Sequence, residues 1–103
     1  MRIFLILFFC GTIFASCSSV IPTLSFDNVG IVKSNYPDFT KEDFILARDA
    51  FITRCSGCHN LPSPKTHTKY EWKALLPEML NDSKATENEK ELITKFIISF
   101  SKN

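Results

Sequence analysis

The 103-residue chain has no excess of basic charge, no apolar run long enough to span a bilayer, no strand pattern and no internal repeat. Each absence excludes something. Lys+Arg number 12 and Asp+Glu 11, so the basic surplus expected of a nucleic-acid-binding protein is missing. The longest apolar stretch, residues 3–15, is thirteen residues long, against the roughly 20 that a spanning helix needs. Apolar residues recur at three and four rather than two, which predicts an all-α fold. No acid/base dyad or activated nucleophile is visible, so the chain does not read as an enzyme.

What the N-terminus does have is the layout of an export signal. "MR" is a short basic start, "IFLILFFCGTIFA" an apolar core, and "SCSS" a small-residue processing region. A permanent anchor would have to extend through Ser and Thr to Val20 and Ile21, which favours cleavage. "FASC" at residues 14–17 resembles the lipobox of bacterial lipoproteins. In those proteins the Cys is lipidated and becomes the first mature residue. Phe14 stands where that family usually carries Leu, while Ala15 and Ser16 fit; an ordinary signal with a nearby Cys is the plainer reading. The resemblance implies a signal over 1–16, lipidation of Cys17, and a place in the bacterial cell envelope, lipid-anchored and facing the periplasm. Several acyl chains anchor stably, since each buried CH₂ is worth about 0.8 kcal/mol.

Removing sixteen residues from 103 leaves 87, with basic and acidic residues balanced at 11 each. A chain of that size is marginal for its own core, and a covalent cofactor or other staple would help it. Cys10 leaves with the signal and Cys17 is taken by lipid, so Cys55 and Cys58 are the thiols that remain.

Residues 17–39 read as a lipidated N-terminus and tether, punctuated by Pro22, Gly30 and Pro37, with Phe26, Val29, Ile31 and Val32 available to lie on the domain. The domain itself is predicted over 40–103, in three main helices. The first runs from about Lys41 to Arg54, with Thr40 and Asp43 as an N-terminal box and Phe44, Ala47 and Phe51 on one face. The second starts near Thr68 and carries Trp72, Leu75, Leu76 and Met79, with a kink or break expected at Pro77. After a polar turn at "NDSKA", the third opens on the box Thr86 and Glu89 and carries Leu92, Ile93, Phe96, Ile97 and Phe100.

The chemistry concentrates in "CSGCH", residues 55–59. A thioredoxin-like redox pair wants a βαβ setting, which is absent. A structural zinc site wants four ligands, and only His59 and His67 remain to complete one. A plain disulfide suits an exported protein but leaves His59 without a role. C-x-x-C-H is the attachment motif for c-type haem. Two thiols one turn apart add across the two vinyl groups on one edge of the ring. The following imidazole then reaches the ring face as proximal iron ligand. Cys55 and Cys58 are thus the predicted covalent attachment points of one haem c, and His59 the proximal ligand.

From Phe44 to Phe100 the chain resembles a class I monohaem cytochrome c. In that family the helix before the motif carries a small residue eight positions before the first Cys and an aromatic four before it. Ala47 and Phe51 fill those places, with Ala where Gly is more usual. The resemblance implies a cytochrome c fold around one covalently attached haem, with this helix crossing the C-terminal one at Ile93 and Phe96. "EWKALLPEML" resembles the W-x₆-M stretch of short bacterial members, which makes Met79 the expected distal ligand; a Met/His pair raises the potential. A lone Met is otherwise core filler. His67 is the competing ligand, and an open sixth site the third possibility. Pro62 or Pro64 stands where the family's proximal imidazole donates to a backbone carbonyl. Trp72 is either at the haem edge, packed there or bonded to a propionate, or an ordinary core residue.

The function expected is electron transfer by a membrane-anchored monohaem carrier that docks on redox proteins or a respiratory complex. The alternatives are a haem sensor or peroxidatic protein with an open iron site, an accessory respiratory subunit, and a haem-free lipoprotein with a Cys55–Cys58 disulfide.

Overall fold

The computed structural model describes residues 21–55 and 62–103. The signal over 1–16, Cys17, Cys58 and His59 lie outside the described residues. Among the described residues the fold is all-α. It has four α-helices, α1 (Phe26–Asn35), α2 (Lys41–Cys55), α3 (Lys69–Asp82) and α4 (Glu87–Ser99), with a 3₁₀ turn at Pro64–Thr66 before α3. No strand occurs among them; a single parallel bridge joins Thr68 to Lys102.

Three helices were expected, and the fourth, α1, arises in the segment read as a tether. Ser25 caps it, its hydroxyl accepting from the Asn28 N–H at 3.0 Å. Gly30 interrupts the helical pattern and costs about 1 kcal/mol relative to Ala. What holds the helix is docking on α4. Val32 is completely buried and Val29 packs against the core. One buried side chain in ten residues leaves almost no periodic signal, so the docking was not legible in the sequence.

The other helix starts follow the sequence. Thr40 and Asp43 exchange side-chain-to-backbone bonds at 3.0 Å in both directions, Asp serving where Glu is commoner. Thr68 with Glu71 and Thr86 with Glu89 form complete capping boxes. The turn between α3 and α4 places Lys84 at φ 66°, the left-handed region that glycine adopts with least strain.

α3 runs through Pro77 as one helix rather than breaking there. The buried residues Trp72, Leu76 and Leu80 fall on both sides of the proline at four-residue intervals. Packing of that stripe holds the two halves in line, while the Pro77 ring stays exposed. Leu75, expected on the buried face, is instead 41% exposed, and Leu80 takes its place at 3%.

The core is built mainly where α2 packs on α4. Ala47, Phe44 and Phe51 of α2 and Ile93, Phe96 and Ile97 of α4 are all essentially inaccessible. Phe96 meets the Phe44 ring edge-on at 5.2 Å between centroids and Phe51 at 6.3 Å, and Phe100 closes the cluster. Such aromatic pairs add about 0.5–1.5 kcal/mol each beyond area burial. Ala47, buried among them, brings little bulk to the α2 face and lets the two helices approach closely.

Candidate functional site

Cys55 is the last residue of α2, so the helix delivers the first thiol of the motif as expected. It is half-buried and packed against the core, as is Ile52 one turn before it. The other two residues of the motif's chemistry, Cys58 and His59, lie outside the described residues.

The end of α2 is fixed by an ion pair that sequence reasoning did not find. Arg54 Nε donates to Glu89 Oε1 at 3.0 Å, and the guanidinium's second nitrogen reaches Glu89 Oε2 at 3.5 Å. Glu89 Oε1 also accepts the Thr86 backbone N–H at 3.0 Å. One carboxylate therefore closes the cap of α4 and clamps the residue next to Cys55. The Thr86 backbone N–H, and then Arg54, hold its carboxyl below the ordinary value. Thr86-x-x-Glu89 was visible as a cap. A partner 35 residues away in sequence was not.

Met79 sits in the third turn of α3, half-buried against the core beside the Trp72–Leu76–Leu80 stripe. Leu75 precedes it by four residues on the same side, which places the two side chains one turn apart. Leu75 and Met79 form an apolar edge of α3 that the core covers only in part.

His67 precedes α3 rather than lying beside Met79. The two are separated by almost the whole of α3, about 15 Å at 1.5 Å per residue. The His67 ring stands edge-on to Trp72 with centroids 4.9 Å apart, and Nδ1 lies 3.6 Å from Glu71 Oε1. Its carbonyl accepts the Lys102 N–H at 2.9 Å, tying the chain's C-terminus to the start of α3. The carboxyl of Glu71 is itself held low, chiefly by the Thr68 backbone N–H.

Trp72 is buried, and its indole Nε1–H donates to the Pro64 carbonyl at 2.8 Å. The indole donor is therefore used within the protein. The same bond engages one lone pair of the Pro64 carbonyl and anchors the segment that follows the cysteine motif onto α3. Pro62 is half-buried.

No helix among the described residues is long and apolar enough to cross a membrane. Among those residues no group of three or more His, Cys, Asp or Glu side chains gathers as a metal site. Comparison with protein-family models, with curated proteins and with solved structures yields no match to this chain.

Proposed function

We propose that the protein is a lipid-anchored monohaem c-type cytochrome that transfers single electrons. The observation that carries this reading is the C-x-x-C-H motif begun by the final residue of α2, on the helix that builds the core with α4. Burial of Ala47 and Ile93 in one core, with the Phe51 and Phe96 rings 6.3 Å apart, supports the cytochrome c likeness, because the small and aromatic residues fall at the expected offsets from Cys55.

The residues suit the group. Cys55 and Cys58 would hold haem c through two thioethers, and His59 and Met79 would bind its iron. The Leu75–Met79 edge of α3 and the Ile52–Cys55 end of α2 offer partly covered apolar surface to a flat apolar ring. Haem supplies reversible one-electron chemistry when bound. The protein's part is to fix the ligands, exclude water and limit the approach of partners. The Arg54–Glu89 clamp steadies the residue preceding Cys55. The Trp72–Pro64 bond steadies the segment following His59. The Pro64 carbonyl keeps a second lone pair, so it and the Pro62 carbonyl are both acceptors open to the proximal imidazole N–H.

Cys17, as the lipidated first residue, would keep the domain at the periplasmic face of a membrane, where redox proteins or a respiratory complex are its partners. The test is expression in a host that matures c-type haem, followed by an alkaline pyridine haemochrome spectrum and an intact mass. A haemochrome spectrum and a mass increased by one haem are expected. A colourless protein with a Cys55–Cys58 disulfide would sink the proposal. A high-spin ferrous form that takes up carbon monoxide would move it to a sensor or peroxidatic protein.

A further inference from the structure

The segment between the lipid-bearing Cys17 and the folded domain is short. Ile21 is already buried, and Arg48 Nε donates to the Pro22 carbonyl at 2.8 Å. The chain is thus fixed to the domain from Ile21 onward. Only four residue steps separate it from Cys17, which span about 14 Å at most. A membrane holding acyl chains on Cys17 lies within that distance of Ile21, so one face of the domain must rest close to the lipid.

Three residues beyond Ile21 the chain enters an exposed apolar surface. Phe26 is 93% exposed and Leu24 45%. Leu24, Phe26, Val29 and Gly30 line a cavity of about 720 Å³ with Lys33 and Lys41. Leu24 also borders a second cavity with Ile45 of α2, itself 40% exposed. The apolar surface is therefore continuous from α1 onto α2. A large aromatic left almost wholly in water, inside a contiguous apolar patch, marks an interaction surface. The two lysines at its edge match the anionic headgroups of a bilayer, and no carboxylate lines the larger cavity, although Asp27 follows Phe26 on the exposed surface and Asp49 lines the smaller cavity with Arg48.

We infer that the Leu24–Phe26–Val29–Ile45 face is a lipid-contact surface that seats the domain on the bilayer in one orientation. The inference rests on lipidation of Cys17 but not on haem. Acyl chains provide the affinity and the patch provides the orientation, by burying Phe26 and Leu24 at the headgroup boundary with Lys33 and Lys41 at its rim. Ile45 and Cys55 lie ten residues apart on α2, so the motif end is carried about 15 Å from the lipid-facing end along that helix.

The test uses the mature lipoprotein reconstituted in phosphatidylethanolamine–phosphatidylglycerol vesicles and footprinted by hydroxyl radicals from X-ray radiolysis. Tyr70, 77% exposed on α3, is the internal reference for Phe26. Phe26 is expected to be modified several-fold less than Tyr70, and Phe26→Asp is expected to raise modification of Leu24 above its level in the parent protein. Phe26 is exposed, so that variant should fold, and an unchanged circular dichroism spectrum checks it. Equal modification of Phe26 and Tyr70 on vesicles would overturn the inference, as would an intact mass showing no acyl chain on Cys17. Protection that disappears as lipid is added at fixed protein would assign the face to a second copy of the chain and also overturn it. The absorbance of the same sample reports haem separately: a colourless protein with a protected Phe26 rejects the cytochrome reading and keeps the lipid face.

Discussion

Arg54, the penultimate residue of α2, lies 3.0 Å through its Nε from Oε1 of Glu89, the third residue of α4. The pair joins the two helices that form the core, at the end of α2 where Cys55 stands. Both side chains are partly exposed, so the pair alone is worth at most about 1 kcal/mol. Loss of the cap bond made by the same carboxylate adds about 1 kcal/mol more.

Glu89 makes the stability depend on acid. Its carboxyl is depressed in the folded state, first by the Thr86 N–H and then by Arg54. A depressed carboxylate contributes stability above its ordinary value of 4.5, and that stability is lost as pH falls through the depressed value. The melting temperature should therefore drop on acidification below that range. Glu89→Gln keeps an amide oxygen for the Thr86 N–H but loses the charge facing Arg54, so it should melt lower at neutral pH by at most about 1 kcal/mol of stability, and show a shallower acid slope. Some slope should persist, because Glu71 is shifted in the same direction. Thermal melts of both proteins from pH 7 to pH 3 measure this; parallel curves would contradict it.

Trp72→Phe keeps an aromatic ring at this buried position but removes the donor to the Pro64 carbonyl, together with part of the indole's bulk. Leaving that buried acceptor unmet should cost about 1–3 kcal/mol in urea unfolding. Trp72→Phe should also loosen the segment after the cysteine motif, read as faster amide exchange at residues 63–66. A variant as stable as the parent would mean that the bond contributes nothing.

Pro77→Ala should stabilise the protein. α3 already runs through this position, the proline ring is exposed, and alanine restores the N–H that would bond the Lys73 carbonyl. Alanine is also a better helix former by about 3 kcal/mol in an unconstrained helix interior, of which a part should appear here. The reading is a rise in urea midpoint with an unchanged slope. A fall would show that the proline shapes α3 for a contact not made within the folded chain.

Met79→Ala separates the two ligand candidates. With haem attached, the variant should lose the low-spin spectrum and bind carbon monoxide readily, while His67→Ala should leave the spectrum as it was. His67 is placed against Trp72 and Glu71 at the other end of α3, so its loss should cost packing and little else. The opposite pattern of spectra would transfer the distal role to His67.

Much of the fold was legible because its signals are local. Thr40, Thr68 and Thr86 announce helix starts within three residues, and the stripe of α4 repeats over more than two turns from Leu92 to Phe100. The cysteine motif is likewise a local pattern of five consecutive residues, of which the structure describes Cys55, at the end of α2 as expected. α1 was not, since one wholly buried Val32 in ten residues gives no period to detect. Nor was the continuity of α3 through Pro77, which packing of Trp72, Leu76 and Leu80 imposes against the local preference of proline.

By itself the sequence determined an all-α domain, its helix caps, the placement of Cys55 at the end of a helix, and the covalent possibilities of "CSGCH". Those follow from bonds and spacings within one or two turns. Only the tertiary structure shows that the segment read as a tether holds a docked helix, that Arg54 is clamped by Glu89, and that Trp72 spends its donor on Pro64. Each of these joins residues far apart in sequence or fixes a marginal helix by burial. Such contacts depend on where whole elements come to rest, and no short stretch of the chain encodes that.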